Sequence, residues 1–283
     1  MRIFGFNIFS IKSFFYHIKS LILTPLPIRI YLLQLLMKRF KLGNFEQRLK
    51  YNGVNYPPYA YGMYSAALQA KSLGLKKITA IEFGVASGDG IIAMEKHATD
   101  IYNAIGIEFE IFGFDTGKGL PKPTDYRDQG YYWKENDFIM DQNRLEENLN
   151  FSKLVIGDIK STLKTFKKNK LNFPIGFISF DLDFYSSTVS SFEIFKINDD
   201  MLLPRVECYM DDVGSTELLV ASKGTGVLRA IDEFNSNNEN EKKLFKKEGV
   251  GFTRIIPSTW NEQMYVFHSF NHSKYNHLVL NSS

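Results

Sequence analysis

Four aspartates in two short stretches are the residues best placed to do chemistry. Phe180-Asp-Leu-Asp-Phe-Tyr185 carries Asp181 and Asp183, and Glu207-Cys-Tyr-Met-Asp-Asp212 ends on Asp211 and Asp212. Each pair follows an apolar, β-prone run, so each stands where a strand gives way to a loop. If the two strands are neighbours in a parallel sheet, all four carboxylates open on one rim and repel one another strongly in a low-dielectric cleft. A hard divalent cation with oxygen ligands relieves that repulsion. Mg2+ suits such a set, whereas Zn2+ would favour His or a thiolate-rich set, and no His is nearby and Cys208 is the chain's one cysteine. Acids solvated independently in two loops are the plainer alternative.

A second candidate site lies upstream, in Ile78-Thr-Ala-Ile-Glu-Phe-Gly-Val-Ala-Ser-Gly-Asp-Gly90. An apolar run stops in a loop with Gly84, Gly88 and Gly90, and a helix-compatible stretch follows. Glycines suit a turn that must take positive φ and let a ligand touch the main chain. The pattern is neither a Walker A loop, which needs Gly-Lys-Ser/Thr, nor G-x-G-x-x-G. Glu82, Gly84, Val85, Ala86, Ser87 and Gly88 are the expected cofactor contacts, unless the turn is only a strand-to-helix connection. Asp115, at the end of the next apolar run, is placed to accept from ribose hydroxyls. Asp158, in Val155-Ile-Gly-Asp-Ile159, is placed to accept from an adenine amino group or to cap the following helix, roles that are compatible. Residues 120–137 hold Tyr126, Tyr131, Tyr132 and Trp133 beside Arg127 and Asp128. They read either as a lid stacking on a polyol acceptor or as aromatics folded down on the core. His97 is expected on a helix surface, and no Ser–His–Asp arrangement is supported.

The elements that must position these residues alternate between strand and helix from residue 78 onward, which predicts a mostly parallel α/β sheet. Strands are expected at 78–83, 110–114, 152–156, 175–182 and 206–210. A closing antiparallel hairpin is expected from 252–256 and 264–267. Helices are expected at 62–73, 91–102, 142–149, 159–168, 187–195 and 226–235. The organisation reads as an extension over 1–58, a main domain over 59–270 and a frayed polar tail over 271–283.

Composition bounds the partners. One cysteine, Cys208, excludes an intramolecular disulfide and suits a reducing compartment. Residues 1–50 hold nine Lys/Arg against Glu46 alone, a net +8 that leaves −5 for the remainder. A basic, Phe- and Leu-rich arm on a mildly acidic body argues against a nucleic-acid-binding domain. The arm divides into apolar helical pieces at 3–23 and 28–42, around Pro25 and Pro27. Neither reaches the roughly 20 uninterrupted apolar residues of a membrane span, and no signal-peptide cleavage site follows. The arm reads as a lid over the site, an oligomerisation arm, or a peripheral anchor on anionic lipid at the inner face of the membrane. A cytoplasmic location is expected in each case.

Taken together, Glu82-x-Gly84-x-x-x-Gly88, Gly113-Phe-Asp115-Thr-Gly-x-Gly-Leu-Pro121, Asp181-x-Asp183-x-Tyr185-x-Ser187-Thr188 and Asp211-Asp212 resemble the macrocin O-methyltransferase family. That family lies within the class I S-adenosylmethionine-dependent methyltransferases. The resemblance runs from residue 78 to about 235, with the motifs in order and spacing. It implies a doubly wound, seven-stranded Rossmann-like sheet and Mg2+-dependent transfer of a methyl from S-adenosylmethionine to a hydroxyl of a sugar or glycosylated small molecule. By motif, Asp181, Asp211 and Asp212 would bind the metal and Asp183 would be the general base. Glu82, Gly84 and Gly88 would lie along S-adenosylmethionine with Asp115 on its ribose, and Asp158 and Asp181 would also face the cofactor. Tyr126, Arg127, Tyr132, Trp133 and Tyr185 would meet the acceptor. The basic arm, the Arg127/Trp133 loop and an expected loop at 201–205 before the fifth strand depart from the family. The rival enzyme class is a metal-dependent glycosyltransferase, which also uses Asp-x-Asp but needs no glycine turn facing Asp115. A nucleotide-binding scaffold without activity is the non-enzymatic alternative.

Overall fold

The computed structural model describes residues 2–3, 6–7, 28–169, 171–238 and 241–278. One sheet contains β1 (Lys77–Phe83), β2 (Glu108–Asp115), β3 (Lys153–Ile156), β4 (Ile175–Phe180), β5 (Leu202–Met210), β6 (Lys242–Lys246) and β7 (Met264–Ser269). Their spatial order is β3-β2-β1-β4-β5-β7-β6. Strands β1 to β5 are parallel, and β7 runs antiparallel to both of its neighbours. The helices are α1 (Ile28–Phe40), α2 (Phe45–Lys50), α3 (Pro57–Ser72), α4 (Asp89–Ile105), α5 (Gln142–Asn148), α6 (Ile159–Asn169), α7 (Tyr185–Ser191) and α8 (Gly226–Asn237).

The sequence of the central strands explains this layering. All six residues of β4 are buried, the pattern of a strand covered on both faces. Alternate side chains divide between two cores. Ile78 and Ala80 of β1 pack with Met63, Ala67, Ile91 and Met94 of α3 and α4. Ile81 and Phe83 pack on the opposite face with Phe112, Phe114, Phe166, Phe180 and Phe192. Because β1 to β5 run in one direction, their carboxyl ends share a rim. Strand order reverses between β1 and β4, and that switch point is where open α/β sheets bind ligands.

Four expectations need correcting. The closing hairpin pairs β7 with β6, while Val250–Thr253 is a 3-10 turn and Phe252 is 96% exposed. Strand β6 was hidden by its composition: Lys242-Lys-Leu-Phe-Lys246 fully buries only Leu244, and lysines on an edge strand block pairing with other chains. His97 is buried rather than on the surface, with Nε2 2.8 Å from the Asn55 carbonyl oxygen, and burial pushes its pKa down to about 4. Residues 271–278 are tied down rather than frayed: the Tyr275 carbonyl accepts from Arg205 Nη1 at 2.6 Å, and His277 Nε2 lies 2.9 Å from the Ser72 carbonyl. In the arm, residues 2–3 and 6–7 form a short antiparallel ladder instead of helix. The rest of the first helical piece lies outside the described residues, whereas the second is realised as α1.

Candidate active site

The glycine turn is built by close approach. Gly84 has φ +84°, and a Cβ there would fall 1.6 Å from the carbonyl oxygen of Asp181, so β1 and the Asp181 turn can meet only through glycine. Asp115 fixes the same turn from β2. Its Oδ2 accepts from Val85 N at 2.9 Å and Ala86 N at 3.0 Å, and its Oδ1 accepts from Gly117 N at 2.7 Å. Beneath the turn, Ser179 Oγ donates to Tyr59 OH at 2.8 Å and Tyr59 OH donates to Glu82 Oε1 at 2.7 Å. Glu82 Oε2 is buried without a partner. Burial pushes the Glu82 carboxyl up to about 8, against the lowering effect of the Tyr59 hydroxyl.

These residues line a cavity of about 870 Å3 that opens on the carboxyl rim. Glu82, Gly84, Val85, Ala86, Ser87, Asp115, Asp158 and Asp181 are in its wall, as expected of the cofactor contacts. Gly88 is not. It takes φ +86° at the start of α4, and a Cβ there would meet the side chain of Leu145 at 2.1 Å, so its requirement for glycine is a packing one. Asp158 faces the cavity while its Oδ2 accepts from Ser161 N in the first turn of α6. The volume lies within the roughly 300–1,000 Å3 usual for small-molecule sites. A nucleoside-bearing cofactor fits a wall made of a bare-backbone turn with carboxylates on the two neighbouring strand ends.

The four aspartates are also in the cavity wall, with Asp181 against the Gly84 turn. Among the described residues, Asp181, Asp183 and Asp212 offer carboxylate oxygens that all lie within 4.8 Å of one another. Asp211 is outside this set. Its Oδ1 accepts from Tyr209 OH and its main-chain carbonyl from Gln263 Nε2, while its charge still acts on Asp181, Asp183 and Asp212. Asp183 is in the cluster, held there by its own backbone N, which donates to Asp212 Oδ2 at 3.0 Å. The expected metal set of Asp181, Asp211 and Asp212 shares two members with this carboxylate cluster. Burial pushes the carboxyls of Asp181 and Asp212 well up, reinforced by the neighbouring aspartates. Burial, followed by Asp211 and Asp137, pushes Asp183 up to about 7. Three crowded oxygen donors held at such cost fit a hard divalent cation.

The loop over 120–137 divides between site and framework. Trp133 lines the cavity, with its indole Nε1 buried and unpartnered. Tyr126, Arg127, Tyr132 and Tyr185 do not line it. Tyr126 is exposed, and the Tyr132 ring packs edge-on against Trp133. Arg127 lies over the Tyr185 ring at 4.1 Å and donates to Tyr185 OH at 2.7 Å and Glu233 Oε1 at 2.9 Å. Next to it, buried Asp128 accepts from Thr124 N at 3.1 Å and from Ser186 N, in the first turn of α7, at 2.8 Å. These residues anchor the loop to α7 and α8 because a charged fork and a planar ring satisfy each other better there than in an open pocket. Sequence reading missed Tyr56 and Tyr59, which bring the start of α3 into the cavity wall. The only signal for them was the aromatic connector Tyr56-Pro-Pro-Tyr59.

No family model matches this chain, and no curated protein matches it in sequence. Solved structures share its fold. The calicheamicin methyltransferase CalS11 aligns with a TM-score of 0.52 at 17% identity, covering 92% of each chain. The apo structure of CalS11, named a TDP-rhamnose 3'-O-methyltransferase of calicheamicin biosynthesis, gives 0.45 at 16% identity, over 92% of this chain and 94% of that one. An O-methyltransferase from Bacillus cereus in complex with SAH gives 0.42 at 14% identity, over 90% and 96%. The first of these likenesses, together with the strand order, establishes the Rossmann-like class I methyltransferase fold.

Proposed function

We propose that this chain is a divalent-metal-dependent O-methyltransferase that moves the methyl of S-adenosylmethionine to a hydroxyl of a sugar or glycosylated small molecule, as in the macrocin O-methyltransferase family. The observation that carries the reading is one cavity lined both by the Gly84 turn and by the clustered carboxylates of Asp181, Asp183 and Asp212. The named activities of the structural neighbours, one of them directed at a rhamnose, agree with it.

In this reading the backbone of residues 84–87 and the carboxylates of Asp115 and Asp158 bind and orient the cofactor. Asp181 and Asp212 would hold the cation, with Asp211 bonded to Tyr209 beside them. Mg2+ held there would supply Lewis acidity, lowering the pKa of a hydroxyl too weakly acidic to react at neutral pH. Asp183, in the same carboxylate cluster, accepts the hydroxyl proton as the methyl is transferred. Trp133 closes the acceptor side and excludes water. No covalent enzyme intermediate is needed.

The test combines calorimetry with S-adenosylhomocysteine and methyl transfer to a panel of sugars, glycosides and nucleotide-sugars, with Mg2+ and with EDTA. Heat on binding and Mg2+-restored turnover are expected. No heat with S-adenosylhomocysteine overturns the cofactor assignment, and full turnover in EDTA removes the metal.

A further inference from the structure

Helix α1 exposes the side chains that a globular protein would bury. Of its apolar residues only Met37 is buried, whereas Ile28, Leu32, Leu36 and Phe40 are 57%, 51%, 44% and 54% exposed. Leu35 and the following Leu42 are exposed as well. Spacing of four, seven and eight residues from Ile28 puts Leu32, Leu35 and Leu36 on one face. The opposite face is the one held to the body. Met37 packs on Gly53, Gln34 Nε2 donates to the Asn52 carbonyl at 3.3 Å, and Lys41 at the helix end pairs with Asp100 at 3.2 Å. The apolar face is therefore turned outward by its attachment, and none of residues 28–50 lines the catalytic cavity.

We propose that this face docks on an anionic lipid bilayer, with α1 lying in the plane of the interface. Charge selects the occupant. Residues 1–50 carry +8 while the remainder of the chain carries −5. A second copy seated symmetrically on the same face would bring the exposed Arg29, Lys38 and Arg39 of two chains together. A lipid surface rich in anionic headgroups neutralises the arm while its acyl boundary takes up the leucines. Arg29 and Lys38 are exposed on α1 beside this stripe, and Arg39 is exposed within it, over the Phe40 ring. At 13 residues α1 is too short to cross, and no helix among the described residues is long and apolar enough to do so. The proposal stands independently of the methyltransferase reading, because it needs neither cofactor nor acceptor.

The experiment is co-sedimentation of the full chain with large vesicles of phosphatidylcholine alone, or of phosphatidylcholine and phosphatidylglycerol in equal parts. Binding to the anionic vesicles is expected to exceed that to neutral ones at least tenfold and to fall steeply between about 50 and about 500 mM NaCl. Leu32→Glu with Leu36→Glu should weaken binding at least tenfold without moving Tm, since both side chains are exposed. Failure to pellet with anionic vesicles overturns the proposal, as does wild-type binding by the double variant. Sedimentation velocity can overturn it too: a dimer that the double variant dissociates would assign the face to a second copy instead.

Discussion

Asp183 concentrates the chemistry of the site in one residue. It is a non-glycine residue at φ +58°, a conformation that costs on the order of 1–3 kcal/mol and persists where surrounding structure enforces it. The bond from its backbone N to Asp212 is part of that enforcement. Asp183→Asn keeps the shape but cannot take a proton, so kcat should fall by about 10²–10⁴-fold while affinity for S-adenosylhomocysteine changes little. Loss of cofactor binding in the variant would show that Asp183 is structural. Asp212→Asn should weaken Mn2+ binding, followed by electron paramagnetic resonance, more than Asp211→Asn does. The reverse order would restore Asp211 to the metal set. Glu82 offers a separate test. Its folded pKa, about 8, is raised above that of an unfolded carboxyl, so its contribution to stability is full at acid pH and is lost as pH rises toward 8. Glu82→Gln should therefore flatten the fall in stability between pH 6 and pH 8 in urea titrations, and an unchanged slope would refute the shift. At this scale the acids were legible because they punctuate apolar strands. That Asp183 lies within the carboxylate cluster of Asp181 and Asp212 was not, because it depends on which way side chains point around the 3-10 turn Asp211–Val213.

The loop over residues 120–137 shows what sequence conceals at the level of elements. Its aromatic and charged residues read as one acceptor surface, yet only Trp133 among those singled out reaches the cavity. Arg127 instead joins Asp125, Tyr185 and Glu233, and its side-chain hydrogen bond to Asp125 holds that carboxyl down at about 2. Composition cannot separate an arginine that meets a ligand from one that clamps a loop, since the same fork geometry serves both. Arg127→Ala should loosen the loop and speed limited proteolysis within 120–137, leaving cofactor affinity within about twofold because no cofactor-facing residue is touched. Unaltered proteolysis would mean that Asp128 and Gln129, both buried, suffice as anchors. The parallel strands were readable from apolar runs, which follow from burial on both faces. The edge strand β6 was not, because one solvated face and lysine spacing imitate a polar loop.

At the scale of the whole molecule, the acidic rim makes stability depend on pH and metal together. Asp181, Asp183 and Asp212 all have folded pKa values above the ordinary carboxylate range, Asp183 at about 7. Between about pH 4, where unfolded aspartates titrate, and pH 7 the folded chain therefore binds more protons than the unfolded one. Stability supplied by those protons is complete at the acid end of that window and is lost as pH rises through it. A divalent cation takes the place of the protons, because ligating carboxylates must be ionised. Mg2+ should accordingly raise Tm at pH 8 and do little at pH 5.5, where protons already occupy the cluster. A cation bound at about 100 times its Kd adds roughly 2.7 kcal/mol, enough for a shift of a few degrees in a chain of this size. Thermal scans at both pH values, with NaCl of matched ionic strength as the control, separate site binding from screening. The same scans on Glu82→Gln keep the second buried carboxyl out of the comparison, and the Mg2+ shift should survive there. An equal shift at the two pH values, or one reproduced by NaCl, would leave the crowded aspartates without a cation to hold.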